Sequence, residues 1–431
     1  MIVGIDDPIE FLVSLERLGM KFGLDNISLL CESLGHPEQA FRSVLVAGTN
    51  GKGSVTAVVE AALRAAGHRT ARYTSPHLVR LEERFVIEGR EVATGTLRAA
   101  AGRVREAVNR LRLAGALDTL PTFFECTTAA AFDLFREARV EIAVLEVGLG
   151  GRLDATNVVM PMATAITSID FDHQAQLGTS LESIAREKAG IVKPGVPLVC
   201  GPLPDVAARV IEEVCEREGA PRIDAEARVH LTLRPDGAVD VRTRARVLPG
   251  VTLRLVGAHQ RQNARVAVAL VDELSRLGVP VPDAALRHAL TQVEWPGRLE
   301  HFVVAGTDIL LDAAHNPAGA VALAEYLSAE GCRDATLVFG AMGDKDVRGM
   351  LAALLRPPDV WGRVVCTTAP GARALPAGAL AELAGEAAGG RMPVDAVADP
   401  VAAFEHARRR GRPVVVAGSI FLIGPLRDIL R

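Results

Sequence analysis

Residues 46–54, VAGTNGKGS, fall where a buried-strand pattern gives way to a helical one. A glycine-rich turn between strand and helix aims successive backbone N–H groups and a helix N-terminus at one point, which suits a phosphate. In such a turn Lys52 reaches the β- and γ-phosphates of a nucleotide, and Ser54 supports a metal or the loop itself. The fit to GxxxxGK followed by Ser or Thr is loose. Val46 occupies the first glycine position, and Gly53 separates Lys52 from Ser54. An ordinary glycine-rich turn would read the same way, and the loop alone specifies a nucleotide rather than a reaction.

Other residues could work beside it. Glu146 closes the apolar run 141–147, EIAVLEV, at the end of a buried strand, where α/β proteins place their sites. A carboxylate there can hold Mg²⁺, a hard cation that takes oxygen ligands and nucleotide phosphates together; a strand-end ion pair is the competing reading. Lys188 lies in the helical stretch SLESIAREKAGIVKPG, whose plain reading is a solvated face. Yet the chain has only five lysines, Lys21, Lys52, Lys188, Lys193 and Lys345, and arginine does the other cationic work. A lysine kept in that background marks a place where a compact, deprotonatable ammonium is needed. His173 alone reads as a hydrogen-bonded structural residue, as does His77.

In combination these strings resemble the folylpolyglutamate synthase and dihydrofolate synthase family, relatives of the Mur peptide ligases. The resemblance is carried by GTNGKGS, YTSPHL (73–78), TFFE (122–125), EVGLGGRLDATN (146–157), Asp172-His173 and REKAGI (186–191). It extends through HQRQNA (259–264), WPGRLE, LDAAHNP (311–317) and AGSIFL. Mur ligases usually carry Thr directly after the loop lysine and folate-type members carry Gly, so Lys52-Gly53 favours the folate branch. The resemblance implies that Thr49, Asn50, Gly51, Lys52, Gly53 and Ser54 surround ATP phosphates, with Asn263 at the adenine, Arg298 at a phosphate and Asp312 at the ribose. It implies two magnesium sites, the first at Ser75 and Glu146, the second served by His173 and by Lys188 as its carbamate. Carbamylation needs a neutral amine, which arginine does not provide.

For the acid substrate, the resemblance implies contacts from Thr122, Phe123, Phe124, Glu125, Leu153, Asp154 and Ala155, with Phe124 stacking a flat pterin. For glutamate it implies Ser419 and a catalytic His315, placed near glutamate or the γ-phosphate. Taken singly, Phe124 reads as a core aromatic, Asn263 as a helix surface residue, Arg298 as a linker ion pair and Ser419 as a helix cap. Lys345, in GAMGDKD, receives no role. The segment GMKFGL (19–24) also matches; Lys21 stands where members with dihydrofolate synthase activity can carry an acid, which favours tetrahydrofolate extension.

The elements that must hold these residues alternate. Buried strands near 43–47, 141–147, 163–168 and 195–200 interleave with helices near 54–66 and 181–190. From 228 the pattern becomes an antiparallel set with turns expected at Pro-Asp-Gly and Pro-Gly. A helix near 260–277 follows, then strands near 308–312, 335–339, 363–367 and 413–417. The fold class is therefore α/β: a P-loop-type, mostly parallel N-terminal domain with a small antiparallel sheet over 1–296, and a smaller Rossmann-like α/β domain over 297–431. The resemblance assigns ATP and folate to the first and glutamate ligation to the second.

Composition narrows the partners. The chain has 431 residues, 48 basic and 52 acidic, for a net charge of -4. That balance offers nothing to nucleic acid or an acidic membrane. Six cysteines at no metal-binding or disulfide-framework spacing read as reduced thiols in a cytoplasmic protein. The N-terminal stretch carries acids and no apolar core of a signal peptide, and no apolar run approaches the ~20 residues of a membrane span. A cytoplasmic monomer acting on small molecules is expected.

The expected reaction passes the ATP γ-phosphoryl group to a folate or dihydropteroate carboxylate, giving an acyl phosphate that the amine of L-glutamate attacks. Lys52 and two magnesium ions neutralise the moving charge. Two other readings compete: a Mur-type ligase on another carboxylate, and a nucleotide-binding module without catalysis. Only about 40 residues precede the phosphate loop, short for a Mur nucleotide-sugar domain. Pure binding has no need of the second-metal lysine.

Overall fold

A computed structural model of the chain describes residues 5–19 and 21–430. Residues 1–4 of the N-terminal stretch and Met20 of GMKFGL lie outside the described residues. The chain forms two compact units. One holds the described residues up to Ile169 with Leu181–Arg254 and Gln262–Val293; the other holds Asp170–Ser180, Leu255–Arg261 and the described residues from Glu294 onward.

The first unit is built on eight strands: β1 (Arg42–Ala47), β2 (Thr70–Tyr73), β3 (Phe85–Ile87), β4 (Arg90–Glu91), β5 (Ile142–Glu146), β6 (Ala163–Ile166), β7 (Leu198–Cys200) and β8 (Arg222–Asp224). Their order is β4-β3-β2-β5-β1-β6-β7-β8, parallel from β2 to β8 with an antiparallel edge formed by β3 and β4. The central strands are continuous apolar runs such as IAVLE and ATAI, buried along their whole length, as a sheet covered on both faces requires. Strand β1 lies between β5 and β6, with Val46 opposite Glu146 and Ala47 opposite Ile166. The turn after β1 therefore emerges beside the C-terminal ends of both neighbours, the switch point of a doubly wound sheet.

A three-stranded antiparallel sheet follows: β9 (His230–Leu233), β10 (Val239–Arg242) and β11 (Val247–Val251). The turn at Pro-Asp-Gly forms as expected, with Arg234 N–H donating to Ala238 O at 2.8 Å. The expected Pro-Gly turn does not form. Pro249 and Gly250 lie inside β11, and the chain reverses at 243–246, where Thr243 Oγ1 accepts from Ala245 and Arg246 N–H. Gly250 instead marks an irregularity: the β10–β11 register shifts there, and its N–H donates to Asp240 Oδ1 at 2.7 Å.

The second unit carries six strands: β12 (Glu300–Val304), β13 (Thr307–Leu311), β14 (Ala335–Phe339), β15 (Trp361–Cys366), β16 (Val394–Ala396) and β17 (Val414–Ala417). They are ordered β12-β13-β17-β14-β15-β16, parallel except for the β12–β13 hairpin. Leu337, Phe339, Leu354, Trp361 and Val415 are buried in its core. Adjacent strands β13, β17 and β14 end in register, Leu311 beside Val416 and Phe339 beside Ala417. Three loops thus start at one sheet edge: 312–316, 418–419 and 340–346.

Candidate active site

In the first unit the phosphate loop is tied to the end of β6. Thr49 N–H donates to Ser168 O at 2.8 Å, Asn50 N–H to Ser168 Oγ at 3.1 Å, and Thr167 Oγ1 to Asn50 O at 2.5 Å. Gly51 caps the helix Lys52–Ala65 in a left-handed conformation, φ +86°. A Cβ there would stand 2.1 Å from Asn263 Oδ1, so glycine admits Asn263 against the loop. Lys52 Nζ lies 3.1 Å from Gly48 O and 3.2 Å from Thr49 O.

Lys188 is not on a solvated face. It is 4% exposed, and its Nζ donates to the same Gly48 oxygen at 2.8 Å. The helix Leu181–Ala189 delivers it there because its C-terminal turn packs on the GRLDATN loop. Arg152 N–H donates to Glu187 O at 2.8 Å, and Asn157 Nδ2 donates to Gly190 O at 2.9 Å. The two motifs form one packed piece.

Glu146, buried at the end of β5, accepts the Ser75 N–H at 3.1 Å. Among the described residues no three His, Cys, Asp or Glu side chains group so as to hold a metal by themselves. One buried carboxylate with a hydroxyl-bearing neighbour does fit Mg²⁺, which takes one or two carboxylates and fills its shell with water and phosphates.

The residues expected around the pterin divide by exposure. Phe124 and Leu153 are half-buried and available to a ligand. Tyr73 is fully buried, and its ring centroid lies 6.0 Å from that of Phe124, which it packs against from the core side. Phe123 is buried beneath the Arg84 guanidinium, 5.1 Å from its ring. Thr122 and Glu125 form a capping box on the helix Phe123–Glu137: Thr122 N–H donates to Glu125 Oε2 at 2.7 Å, and Glu125 N–H to Thr122 Oγ1 at 3.2 Å. Asp154, with Ala155 buried beside it, accepts from Thr156 N–H and Oγ1 at 3.0 and 2.5 Å and from Leu149 N–H at 2.9 Å. Burial pushes the Asp154 carboxyl above its ordinary pKa, against those hydrogen bonds.

In the second unit the centre is Asp172. Lys345 Nζ donates to its Oδ1 at 2.6 Å, Asn316 Nδ2 to Oδ2 at 3.0 Å, and His315 Nε2 lies 3.6 Å from Oδ2. Burial alone would raise this carboxyl, but the His315 hydrogen bond and the Lys345 and His173 charges outweigh it and hold Asp172 far below the carboxylate range. Lys345 Nζ also lies 3.2 Å from His173 Nε2. An ammonium only donates, so His173 Nε2 accepts from Lys345 and carries the lone pair through which a neutral imidazole ligates a metal. His315 Nδ1 donates to Ala313 O at 2.9 Å, which aims its other nitrogen at Asp172.

Asp312 directly follows β13, and both its oxygens are engaged with backbone: Leu299 N–H donates to Oδ2 and Ala314 N–H to Oδ1, each at 2.9 Å. Arg298 is half-buried beside it, and His259, on the helix Ala258–Arg276, feels both charges. Burial lowers the His259 pKa. Ser419 caps the helix Ile420–Asp428, its Oγ accepting Phe421 N–H at 3.2 Å. The structure thus brings His173 and His315 together, and adds Asp172, Asn316 and Lys345, to which the sequence assigns no role. The scarcity of lysine and the motif position of GAMGDKD both pointed at Lys345.

A phosphate loop on one α/β sheet and a charged cluster at the strand ends of another define a Mur-type ligase. The Mur ligase middle domain matches residues 46–271, and the domain described as "Mur ligase, glutamate ligase domain" matches residues 297–420. A probable bifunctional folylpolyglutamate synthase/dihydropteroate synthase of Halobacterium salinarum is 37% identical over 98% of this chain, which spans about half (51%) of that relative's length. The solved Mycobacterium tuberculosis folylpolyglutamate synthase complexed with ADP and AMPPCP superposes with TM-score 0.90 at 34% identity, over 98% of this chain and 99% of that one. A bifunctional folylpolyglutamate synthase/dihydrofolate synthase with Mn, AMPPNP and L-glutamate bound gives TM-score 0.84 at 32% identity, over 99% and 98%. The chain belongs to the folylpolyglutamate synthase/dihydrofolate synthase family of Mur-type ligases. Among the described residues no helix is long and apolar enough to cross a membrane.

Proposed function

We propose that this chain joins L-glutamate to a folate-type carboxylic acid at the expense of ATP. The acceptor is a tetrahydrofolate, already glutamylated or not, and dihydropteroate in addition. The observation that carries the reading is the convergence of Lys52 and Lys188 on the phosphate loop, at Gly48 O.

The substrate carboxylate attacks the γ-phosphorus, ADP leaves, and an acyl phosphate forms. The glutamate amine then attacks the acyl carbon, phosphate leaves, and the amine gives up a proton as the amide forms. Lys52 stabilises charge on the transferring group, and Thr49, Asn50, Gly51, Gly53 and Ser54 hold the phosphates. Asn263, Arg298 and Asp312 hold the rest of the nucleotide. Magnesium, when bound, neutralises phosphoryl charge; Ser75 and Glu146 would hold one ion, His173 and carbamylated Lys188 the second. Phe124 and Leu153 present apolar surface to the pterin, while Asp154, Ala155 and the Thr122–Glu125 helix start shape its pocket. His315 and Ser419 orient glutamate.

Residues 1–296 carry the phosphate-loop and folate functions, and 297–431 carry the glutamate function and add Arg298 and Asp312 to the nucleotide. The protein works as a cytoplasmic monomer; its six free cysteines suit a reducing compartment. One assay tests the reading: radiolabelled glutamate and ATP with dihydropteroate, a reduced monoglutamyl folate, or a Mur precursor. Incorporation into the folate is expected. Phosphate release without incorporation into any acceptor refutes the ligase, and incorporation into the folate alone removes the synthase half.

A further inference from the structure

Arg298 occupies an unusual turn. Gly297 before it and Leu299 after it both adopt left-handed backbone, φ +69° and +47°. For leucine that conformation costs on the order of 1–2 kcal/mol and persists only where the surroundings impose it. Here they do. Gly297 N–H donates to Glu300 Oε2 at 2.8 Å, Gly297 O accepts from Ala313 N–H at 2.8 Å, and Leu299 N–H donates to Asp312 Oδ2 at 2.9 Å. The Leu299 side chain is buried in the core of the unit. Arg298 is half-buried, and among the described residues its guanidinium hydrogen-bonds Gly297 O alone, at 3.3 Å.

Glu300 is held in turn. Arg427 Nε lies 2.9 and 2.8 Å from its two oxygens, and the Arg427 side chain is only 10% exposed. Arg427 sits in the last turn of the helix Ile420–Asp428, whose cap is Ser419. One helix therefore has a glutamate-site candidate at its start and a brace for the nucleotide-site turn at its end. A buried arginine with one carboxylate partner is a fixed geometry, and removing either charge leaves the other stranded.

We propose that Arg427 and Glu300 are positioning residues for the nucleotide: they hold the 297–300 turn so that Arg298 meets an ATP phosphate. This rests on the role given to Arg298 above. The test is a double-mutant cycle read in the apparent KM for ATP and in AMPPNP affinity by titration calorimetry, with KM for glutamate and folate measured alongside. Glu300→Gln, Arg427→Met and Arg427→Lys are each made in wild type and in Arg298→Ala. Glu300→Gln preserves shape and an acceptor for Gly297 N–H, so it remains informative if Arg427→Met does not fold. Expected are an about tenfold weaker ATP interaction in Glu300→Gln and Arg427→Met, partial recovery in Arg427→Lys, unchanged KM for glutamate and folate, and no further loss in the Arg298→Ala background. Losses that add to that of Arg298→Ala, or that fall equally on all three substrates, overturn the positioning role while leaving the function above intact. An Arg298→Ala variant with unaltered ATP affinity overturns the phosphate role of Arg298 and the proposal with it.

Discussion

Lys52 and Lys188 donate to one acceptor, the carbonyl oxygen of Gly48, at 3.1 and 2.8 Å. Their nitrogens are therefore no more than about 6 Å apart. Two ammonium charges at that distance repel by about 3 kcal/mol at an effective dielectric near 20. A carbamate on Lys188 would replace that repulsion by attraction. Lys188→Arg keeps the positive charge and cannot be carbamylated, so activity should fall by about 10²-fold or more and bicarbonate should not restore it. Wild-type protein in ¹³C-bicarbonate should show a carbamate resonance that the variant lacks. Full activity in Lys188→Arg would refute the carbamate role.

Lys52 has a separable task. Lys52→Met removes a charge aimed at the phosphates and leaves the Thr49, Asn50 and Thr167 bonds that shape the loop. Turnover should drop by about 10²–10³-fold with the melting temperature within a few degrees of wild type. A loss of folding instead of turnover would assign Lys52 to loop structure.

Asp154 holds the GRLDATN loop from within, through Leu149 and Thr156. Asp154→Ala orphans the buried Thr156 donors and the partly buried Leu149 N–H and should cost about 1–3 kcal/mol in urea unfolding. Asp154→Asn, which keeps one acceptor oxygen, should cost less. Both should raise KM for the pterin acid more than KM for ATP. Equal effects on the two substrates would show that Asp154 acts only through the shared fold.

Much of this was legible beforehand because local patterns carry it. A buried run followed by a glycine-rich turn announces β1 and its loop, and Glu146 at the end of EIAVLEV announces the neighbouring strand end. The Pro249-Gly250 pair misled because turn residues also serve irregular strands, and nothing local distinguishes the two. The Asp172–Lys345 pair spans 173 residues, and no periodicity reports a contact of that range. For the same reason sequence order alone does not place the short segments Asp170–Ser180 and Leu255–Arg261 with the second unit. Lys188 was ambiguous because a helix face reads the same from the chain whether it meets water or a loop.

His259 gives a pH signature. Burial lowers its pKa from 6.5 in the folded chain, with Asp312 opposing and Arg298 and Arg261 reinforcing. The unfolded chain therefore takes up the proton first as pH falls. The stability concerned is fully present above pH 6.5 and is lost as pH drops from there toward the folded value. His259→Gln removes this component. Between pH 7.5 and 5.5 wild type should lose more melting temperature than the variant; parallel curves would show that His259 does not titrate in this way.

The Asp172–Lys345 pair can be dissected by charge. Asp172 is nearly buried, accepts from Lys345, Asn316 and the His173 backbone N–H, and lies 3.6 Å from His315 Nε2, so it touches both candidate histidines at once. Lys345→Met leaves the carboxylate with weaker partners, and Asp172→Asn leaves the ammonium beside His173 Nε2. Each should destabilise the unit by about 1–3 kcal/mol, because a buried charge without its partner loses the compensation for desolvation. The double variant strands neither charge, so it should be less destabilised than the sum of the singles, with a coupling of about 1 kcal/mol or more by urea unfolding. If the pair only held the fold, recovered stability would bring recovered activity. Because Asp172 also aims His315 and His173, the double variant should regain stability yet remain impaired in KM for glutamate, and full recovery of both would remove Asp172 from the site.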